Sequence, residues 1–135
     1  MRSIALFLGA LSALTGVGMG AFGAHALKTI LSPEMLAVYQ TGVSYQMWHA
    51  LGLIGIAIIQ QLQPEDSALL NWAARLMFLG IVIFSGSLYC LTILNQPWLG
   101  MFTPIGGVSF LTAWTLIAIF AVKKPHQSRS ARARR

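Results

Sequence analysis

Charged residues are nearly absent from the first 122 positions of this 135-residue chain. Six occur there: Arg2, Lys28, Glu34, Glu65, Asp66 and Arg75. The remaining six, all basic, lie within the last thirteen positions. The charges are separated by apolar runs long enough to cross a bilayer. This distribution predicts an integral membrane protein with a basic tail, and it does not by itself indicate an activity.

The composition agrees with that class. Hydrophobic residues make up 56% of the chain, charged residues 9%, and the mean hydropathy is +0.71, which excludes an ordinary soluble domain. The formal net charge of +6 comes from the tail, because the body is neutral. We therefore do not predict a nucleic-acid partner for the body. The single cysteine, Cys90, excludes an intramolecular disulfide.

Four apolar runs meet the length of about 20 residues that a helix needs to span a bilayer: residues 3–24, 43–62, 76–94 and 99–122. Each is predicted to be helical, because lipid offers no partner to backbone N–H and C=O groups. Ser32, Pro33 and Glu34 are typical of a helix start. The predicted fold is an all-α membrane four-helix bundle with short loops over residues 1–122, followed by a disordered basic tail at 123–135.

The positions of Lys and Arg predict the orientation. With both termini in the cytoplasm, Arg2, Arg75 and the tail lie inside, and Lys28 alone lies outside. The amino end also matches a signal peptide with a cleavage site at 24–26. Its apolar run is longer than a usual signal sequence, so we expect the segment to be retained as the first span.

Small residues form a candidate packing seam on the first two spans. Ser12, Gly16, Gly20 and Ala24 follow at intervals of four on the first span, and Gly52 and Gly55 lie three apart in a similar stripe on the second span. Small residues let helix backbones approach closely in lipid. We expect the seam to pack helices within one subunit, and a homodimer seam is the alternative.

A polar cluster is predicted within the bilayer, in the half near the predicted outer face. It contains His49, Tyr45, Tyr89, Ser85 and Ser87. His49 shares a helical face with Tyr45, and Tyr89 lies at a similar depth on the third span. Our preferred interpretation is a structural histidine bonded to Tyr89, Ser85 or Ser87. A proton relay or ligand site is the alternative. No catalytic residue, metal site or cofactor is predicted.

The tail supplies the predicted contacts with anionic lipid headgroups: Lys123, Lys124, Arg129, Arg132, Arg134 and Arg135. Each basic residue near an anionic leaflet contributes about 1 kcal/mol of attraction. We expect the tail to attach to the inner leaflet, with docking of nucleic acid or a protein as the alternative.

Several segments together resemble one known family. They are residues 20–27, Tyr45-Gln46 with His49-Ala50, residues 84–89, and residues 104–107 with Trp114. In this order and spacing they are similar to the YgdD-like family of small bacterial inner-membrane proteins, a domain of unknown function. The resemblance covers nearly the whole chain to Val122 and implies a multi-pass inner-membrane protein without an assigned activity. It assigns no catalytic residue, and it does not extend to the tail.

The residues favour one of three functional classes. A proton-coupled cation exchanger of the small-multidrug type needs a carboxylate inside the bilayer, and all three acids lie in connections. An enzyme needs a nucleophile with a base, paired acids or a metal, and no such spacing occurs. We therefore expect a non-catalytic accessory or scaffold protein. The alternative is a carrier or channel for a small solute or proton that uses His49, Tyr45 and Tyr89.

Overall fold

The computed structural model describes residues 3–66 and 68–123. It contains five α-helices: α1 (Ile4–His25), α2 (Pro33–Leu62), α3 (Ala68–Gly80), α4 (Gly86–Ile93) and α5 (Thr103–Val122). A π-helical turn, Ile81–Ser85, joins α3 to α4, so the two form one continuous rod that we call the third span. Short 3₁₀ turns lie at Leu27–Thr29, Pro64–Asp66 and Pro97–Met101.

Four helical rods are long and apolar enough to cross a membrane. They are Ile4–Thr29, Pro33–Leu62, Ala68–Ile93 and Pro97–Val122. The prediction of an all-α membrane four-helix bundle is confirmed. The regular part of the last rod ends at Val122. The predicted disorder of the tail concerns residues 124–135, which lie outside the described residues.

Two helices begin well before the apolar runs that predicted them. The helix α2 starts at Pro33, where the Ser32 side chain accepts a hydrogen bond from the Met35 backbone N–H at 3.2 Å. The helix α3 starts at Ala68. Hydropathy marks only the part of a helix that lies in hydrocarbon, whereas the backbone hydrogen-bond ladder continues into the interface. The predicted cap and proline at the start of α2 are confirmed.

In the last rod, the regular α-helix begins later than the predicted start at residue 99. Its first turn, Pro97–Met101, is 3₁₀, and the α-helix begins at Thr103. Pro104 occupies the first turn of α5, where its missing N–H costs nothing. Asn95 has a φ of 52° and reverses the chain between α4 and this rod, since asparagine tolerates the left-handed region better than most residues.

Neighbouring rods pack antiparallel in the order of the chain. The first helix packs along α2, the third span also packs on α2, and α5 packs on the third span. Hydrogen bonds fix the register, because Ser85 on the third span donates to the Gly42 carbonyl oxygen of α2 and Ser109 on α5 donates to that of Leu76. One end of the bundle therefore carries Ser3 and Lys123, and we call it the Ser3 end.

The main core lies where α2, α3 and α5 meet. Its buried apolar side chains include Leu53, Ile56, Leu70, Met77, Phe110 and Ala113. Large apolar side chains also cover the outside of the bundle, as Leu14, Leu51 and Leu111 do. A water-soluble bundle would place polar residues at such positions, whereas lipid is a suitable solvent for them.

The small-residue seam of α1 packs against α2 within one chain, but its path differs from the prediction. The buried residues of α1 are Ala5, Gly9, Ser12, Gly16 and Gly23. Gly20 is half-buried and Ala24 is exposed. A row with a strict interval of four turns progressively around a helix of 3.6 residues per turn. The contact with α2 therefore passes from Ser12 and Gly16 through Gly20, which lies beside Val43, to Gly23, whose Cα faces the Tyr39 ring.

The two glycines predicted on the second span have different surroundings. Gly52 faces the Met77 sulfur atom, and a Cβ at this position would lie 2.7 Å from it. A Cβ at Gly55 would meet no heavy atom within 4 Å, so Gly55 lies outside the packing seam. The closest approach involves a glycine that was not predicted for the seam. A Cβ at Gly106 of α5 would overlap the backbone of Phe84.

Candidate functional site

His49 lies on α2 and is buried, with 6% of its surface exposed. Its ring Nδ1 lies 2.6 Å from the backbone carbonyl oxygen of Tyr45, one turn earlier on the same helix. A carbonyl oxygen can only accept, so Nδ1 carries a proton and donates it. In the neutral ring, Nε2 is then an acceptor. The local helix therefore fixes both the tautomer and the orientation of the imidazole.

Aromatic rings surround His49. The imidazole stacks on Phe110 of α5, with 3.5 Å between ring centroids and 14° between planes. Tyr45 stacks on Phe84 at 4.5 Å and on the imidazole at 5.8 Å. The centroid of the Trp114 ring lies 6.0 Å from that of the imidazole. We call these five residues the aromatic box. Side chains of α2, the third span and α5 meet in it.

Tyr89 belongs to a second polar group, which connects three spans. Its hydroxyl donates to Gln46 Oε1 at 2.7 Å. The Gln46 Nε2 atom donates to the Ser12 carbonyl oxygen at 2.9 Å and to Thr15 Oγ1 at 2.8 Å. Gln46 is buried, with 5% of its surface exposed. We call Thr15, Gln46, Tyr89 and the Ser12 carbonyl the Gln46 network.

The two serines of the third span make separate contacts. Ser85 Oγ donates to the Gly42 carbonyl oxygen at 2.6 Å and is almost fully buried. Ser87 Oγ lies 2.9 Å from the Phe84 carbonyl oxygen and 2.6 Å from Thr103 Oγ1 at the start of α5. The Thr103 hydroxyl thus joins two rods rather than capping its own helix.

The structure therefore separates the members of the predicted cluster. His49 and Tyr45 lie in the aromatic box, whereas Tyr89 bonds Gln46. In the described part of the chain, His49 forms no hydrogen bond with Tyr89, Ser85 or Ser87, which corrects the expected partners. The reason is local: the Tyr45 carbonyl lies one turn from the imidazole, and no neighbouring helix has to supply an acceptor.

Gln46 is the residue that the sequence reasoning missed. Only the family motif Tyr45-Gln46 includes it, although it is an amide in the middle of an apolar span. A group with two N–H donors and a carbonyl acceptor needs several partners when it is removed from water. That requirement was a usable signal for a residue that joins helices.

Several of the buried polar groups join one helix to another. Every fully buried polar side-chain atom in the described residues has a hydrogen-bond partner. Hydroxyls of Tyr39, Ser85 and Ser109 each donate at 2.6 Å to a backbone carbonyl oxygen on a neighbouring rod. Activation of a hydroxyl nucleophile requires that the proton go to a base. A hydroxyl that donates its proton to a backbone carbonyl is not activated in this way.

An open groove runs between α1 and the third span, with α2 as its floor. At the Ser3 end it widens to a cavity of about 730 Å³, and farther along it holds a second cavity of about 330 Å³. On α1 the wall residues Ile4, Leu8, Leu11 and Thr15 follow at helical spacing. The two cavities are therefore successive parts of one groove. Gln46 and Tyr89 line its second part.

The basic residues predicted to contact lipid lie mostly beyond the described residues. Lys123 is exposed and follows the last residue of α5. Lys124, Arg129, Arg132, Arg134 and Arg135 fall outside the described residues, so their contacts with lipid stay a prediction. Arg75 is exposed on α3, and its guanidinium carbon lies 5.3 Å from the centroid of the Trp72 ring.

Comparisons with known proteins identify relatives of similar size. A family model described as "Protein of unknown function (DUF423)" matches residues 19–107. The UPF0382 membrane protein YwdK of Bacillus subtilis is 46% identical over 118 residues, which are 87% of this chain and 95% of that protein. A UPF0382 membrane protein of Staphylococcus epidermidis is 45% identical over 87% of this chain and 94% of its own length. The UPF0382 inner membrane protein YgdD of Escherichia coli K12 is 38% identical over 118 residues, which are 87% of this chain and 88% of that protein. No solved structure matches the chain.

Proposed function

Because this chain belongs to the DUF423 family of uncharacterised multi-pass membrane proteins, we propose that it is a non-catalytic accessory or scaffold protein of the bacterial inner membrane. Both termini lie in the cytoplasm in this proposal, as the distribution of Lys and Arg favours. The names of the relatives support the location, since the Escherichia coli protein is called an inner membrane protein.

The observation that carries the proposal is the use of the buried polar groups. Hydroxyl and amide donors on Tyr39, Gln46, Ser85 and Ser109 bond backbone carbonyls of other rods. Such bonds average about 0.6 kcal/mol each in membranes and hold helices in one arrangement. A scaffold requires a fixed arrangement of helices and an apolar exterior. A catalyst would require polar groups left for a substrate.

The small-residue seam on α1 does not favour a homodimer at that face. Gly9, Gly16 and Gly23 already contact α2 of the same chain. The exposed surface of α5 is the better candidate for a membrane-protein partner, because it carries Val108, Leu111 and Trp114 on the outside. We propose that a partner helix or lipid packs on this surface, and that the basic tail contacts the anionic inner leaflet.

The alternative is a carrier or channel for a small solute or proton. The sequence predicts one path through His49, Tyr45 and Tyr89. In the structure, however, Tyr89 donates a hydrogen bond to Gln46, and the imidazole donates one to its own helix. A proton path through the Gln46 network would have to pass an amide, which holds its N–H protons firmly and accepts only at oxygen. The network therefore favours a solute carrier over a proton path within this alternative.

Reconstitution into proteoliposomes distinguishes the two functions. We expect no proton or solute flux above that of protein-free vesicles. In cell membranes, a photo-crosslinking residue in place of Leu111 is expected to capture a defined membrane-protein partner, because this exposed position faces outward from α5. The same residue in place of Met77, which is fully buried in the core, serves as the negative control.

A measured flux would be examined with His49→Ala and with Leu51→Ala, an exposed position on the same helix. Flux that is lost in His49→Ala and kept in Leu51→Ala, with both proteins folded and equally abundant, would contradict the scaffold proposal. Capture of the same partner from both Leu111 and Met77 would show that the crosslink is unspecific.

A further inference from the structure

We propose that the groove between α1 and the third span binds one phospholipid, with its phosphate at Arg75 and an acyl chain along the groove. The wider cavity at the Ser3 end carries the first argument. Its walls combine polar groups of Gln60, Gln61, Asn71 and Arg75 with apolar ones of Leu8 and Ala57. An amphipathic cavity fits an amphipathic ligand.

The depth of Arg75 matches the headgroup level of a bilayer. The third span rises about 27 Å between Arg75 and its last residue, Ile93, at ~1.5 Å per residue. The hydrocarbon core of a bilayer is about 30 Å thick. With Ile93 at the opposite hydrocarbon boundary, the Arg75 guanidinium lies at the near boundary, where lipid phosphates are found. Trp72, which lies beneath the guanidinium, is exposed and typical of the same level.

The polar wall offers donors that suit a phosphate diester. The guanidinium carbon of Arg75 lies 5.3 Å from the centroid of the Trp72 ring. Gln60 Nε2 donates to Asn71 Oδ1 at 2.8 Å, so the amide N–H groups of Asn71 stay available for another acceptor. Arginine can form two parallel hydrogen bonds with a phosphate. Cation and amide donors thus line the same cavity.

The rest of the groove is long enough for an acyl chain. Between Arg75 and Tyr89 the third span rises about 21 Å, whereas one leaflet contributes about 15 Å of hydrocarbon. The walls of the second cavity are largely apolar and include Leu11, Phe78 and Val82. A chain that starts at Arg75 would therefore lie beside these residues and end below the Gln46 network.

The test uses the full-length protein, delipidated in detergent and titrated with phosphatidylethanolamine, with bound lipid counted by native mass spectrometry. A zwitterionic lipid limits attraction to the basic tail. We expect one retained molecule per chain, and no retention of a diacylglycerol with the same acyl chains, because it lacks the phosphate. Equal retention of the diacylglycerol would overturn the proposal. Protection against thermal unfolding by inorganic phosphate alone, equal to that by the lipid, would do the same.

Variants locate the site. Arg75→Gln is expected to weaken lipid retention roughly tenfold, the equivalent of one charged hydrogen bond, and Arg75→Lys is expected to restore part of it. Lys28→Gln, which removes an exposed cation near the opposite end, should retain the lipid like the original protein.

Val82→Trp should reduce retention by filling the groove. Unchanged retention in folded Arg75→Gln or Val82→Trp would refute the proposed position, and a loss in Lys28→Gln would indicate unspecific attraction.

Discussion

The two faces of the third span differ in how closely they approach their neighbours. Toward α5 the backbones nearly touch, since Gly106 lies against the backbone of Phe84 and Gly80 lies against the Phe110 ring. Toward α1 the span leaves an open groove, and a Cβ at Gly86 would meet no heavy atom within 4 Å. Glycines of the third span therefore have two different surroundings. Gly80 permits close contact with α5, whereas Gly86 faces the open groove.

The difference follows from what stabilises helix pairs in lipid. Lipid chains are as apolar as Leu side chains, so close packing and hydrogen bonds stabilise the pair. The α5 face has both, because Ser109 also donates to the Leu76 carbonyl oxygen. Across the groove, Gln46 of the floor contacts Tyr89 and Thr15 with hydrogen bonds instead of close packing. We expect substitutions on the two faces to differ accordingly.

The largest effect is expected for Gly106→Ala. The new methyl group would overlap backbone atoms of Phe84, which cannot move as a flexible side chain does. We expect a loss of roughly 1–3 kcal/mol in the free energy of unfolding, measured by denaturation in detergent micelles. Gly107→Ala is the control, because its Cβ would lie 4.0 Å from the Phe84 ring. Equal losses in both variants would show that the close approach is not what stabilises this face.

Gln46→Leu is expected to have the next largest effect. It removes hydrogen bonds to the Ser12 carbonyl, to Thr15 and to Tyr89 and leaves the Tyr89 hydroxyl without that acceptor. We expect a loss of about 1–2 kcal/mol in the same assay. Gln40→Leu, at an exposed position of α2, should change stability little. A neutral result for Gln46→Leu would mean that the network does not join α1 to the third span.

Ser109→Ala tests the hydrogen bond of the closely packed face. Loss of the donor to the Leu76 carbonyl should cost about 0.6 kcal/mol, the mean for such bonds in membrane helices. Thr112→Ala is the matched variant, since its hydroxyl bonds Val108 of its own helix and is exposed. A thermal unfolding midpoint that falls more for Thr112→Ala than for Ser109→Ala would contradict the assigned roles.

The smallest effect is expected for Gly86→Ala on the groove face. The backbone there is right-handed helical, and the added methyl group meets empty space. Alanine favours a helix over glycine by up to about 1 kcal/mol, so the variant should be as stable as the original or slightly more stable. Destabilisation comparable to that of Gly106→Ala would mean that the groove is closed in the membrane.

Much of the fold could be predicted from single residues and runs. The apolar runs gave the number of rods, and Ser32 with Pro33 gave the start of α2. The family resemblance, now confirmed, followed from short motifs spread over the chain. The start of α3 was less predictable. Hydropathy reports the lipid environment, whereas the backbone hydrogen bonds of α3 continue through Asn71, which precedes the apolar run.

The site was less predictable than the fold. His49 was recognised as a buried ring, but its partners are the Tyr45 carbonyl and the Phe110 ring rather than hydroxyls of the third span. Spacing on one helix gives a face and a depth. It does not give the rotation of the neighbouring helix, which decides that Tyr89 reaches Gln46 and Phe110 reaches His49.

The sequence by itself determined the solvent and the number of spans, because charge and apolar length decide which segments can enter a bilayer. Only the tertiary structure decided which helix faces meet, where the groove opens and which partner each polar group takes. The physical reason is that side chains facing lipid and side chains facing protein are both apolar in a membrane. Leu111 on the outside and Leu53 in the core are alike in the sequence, and packing alone separates them.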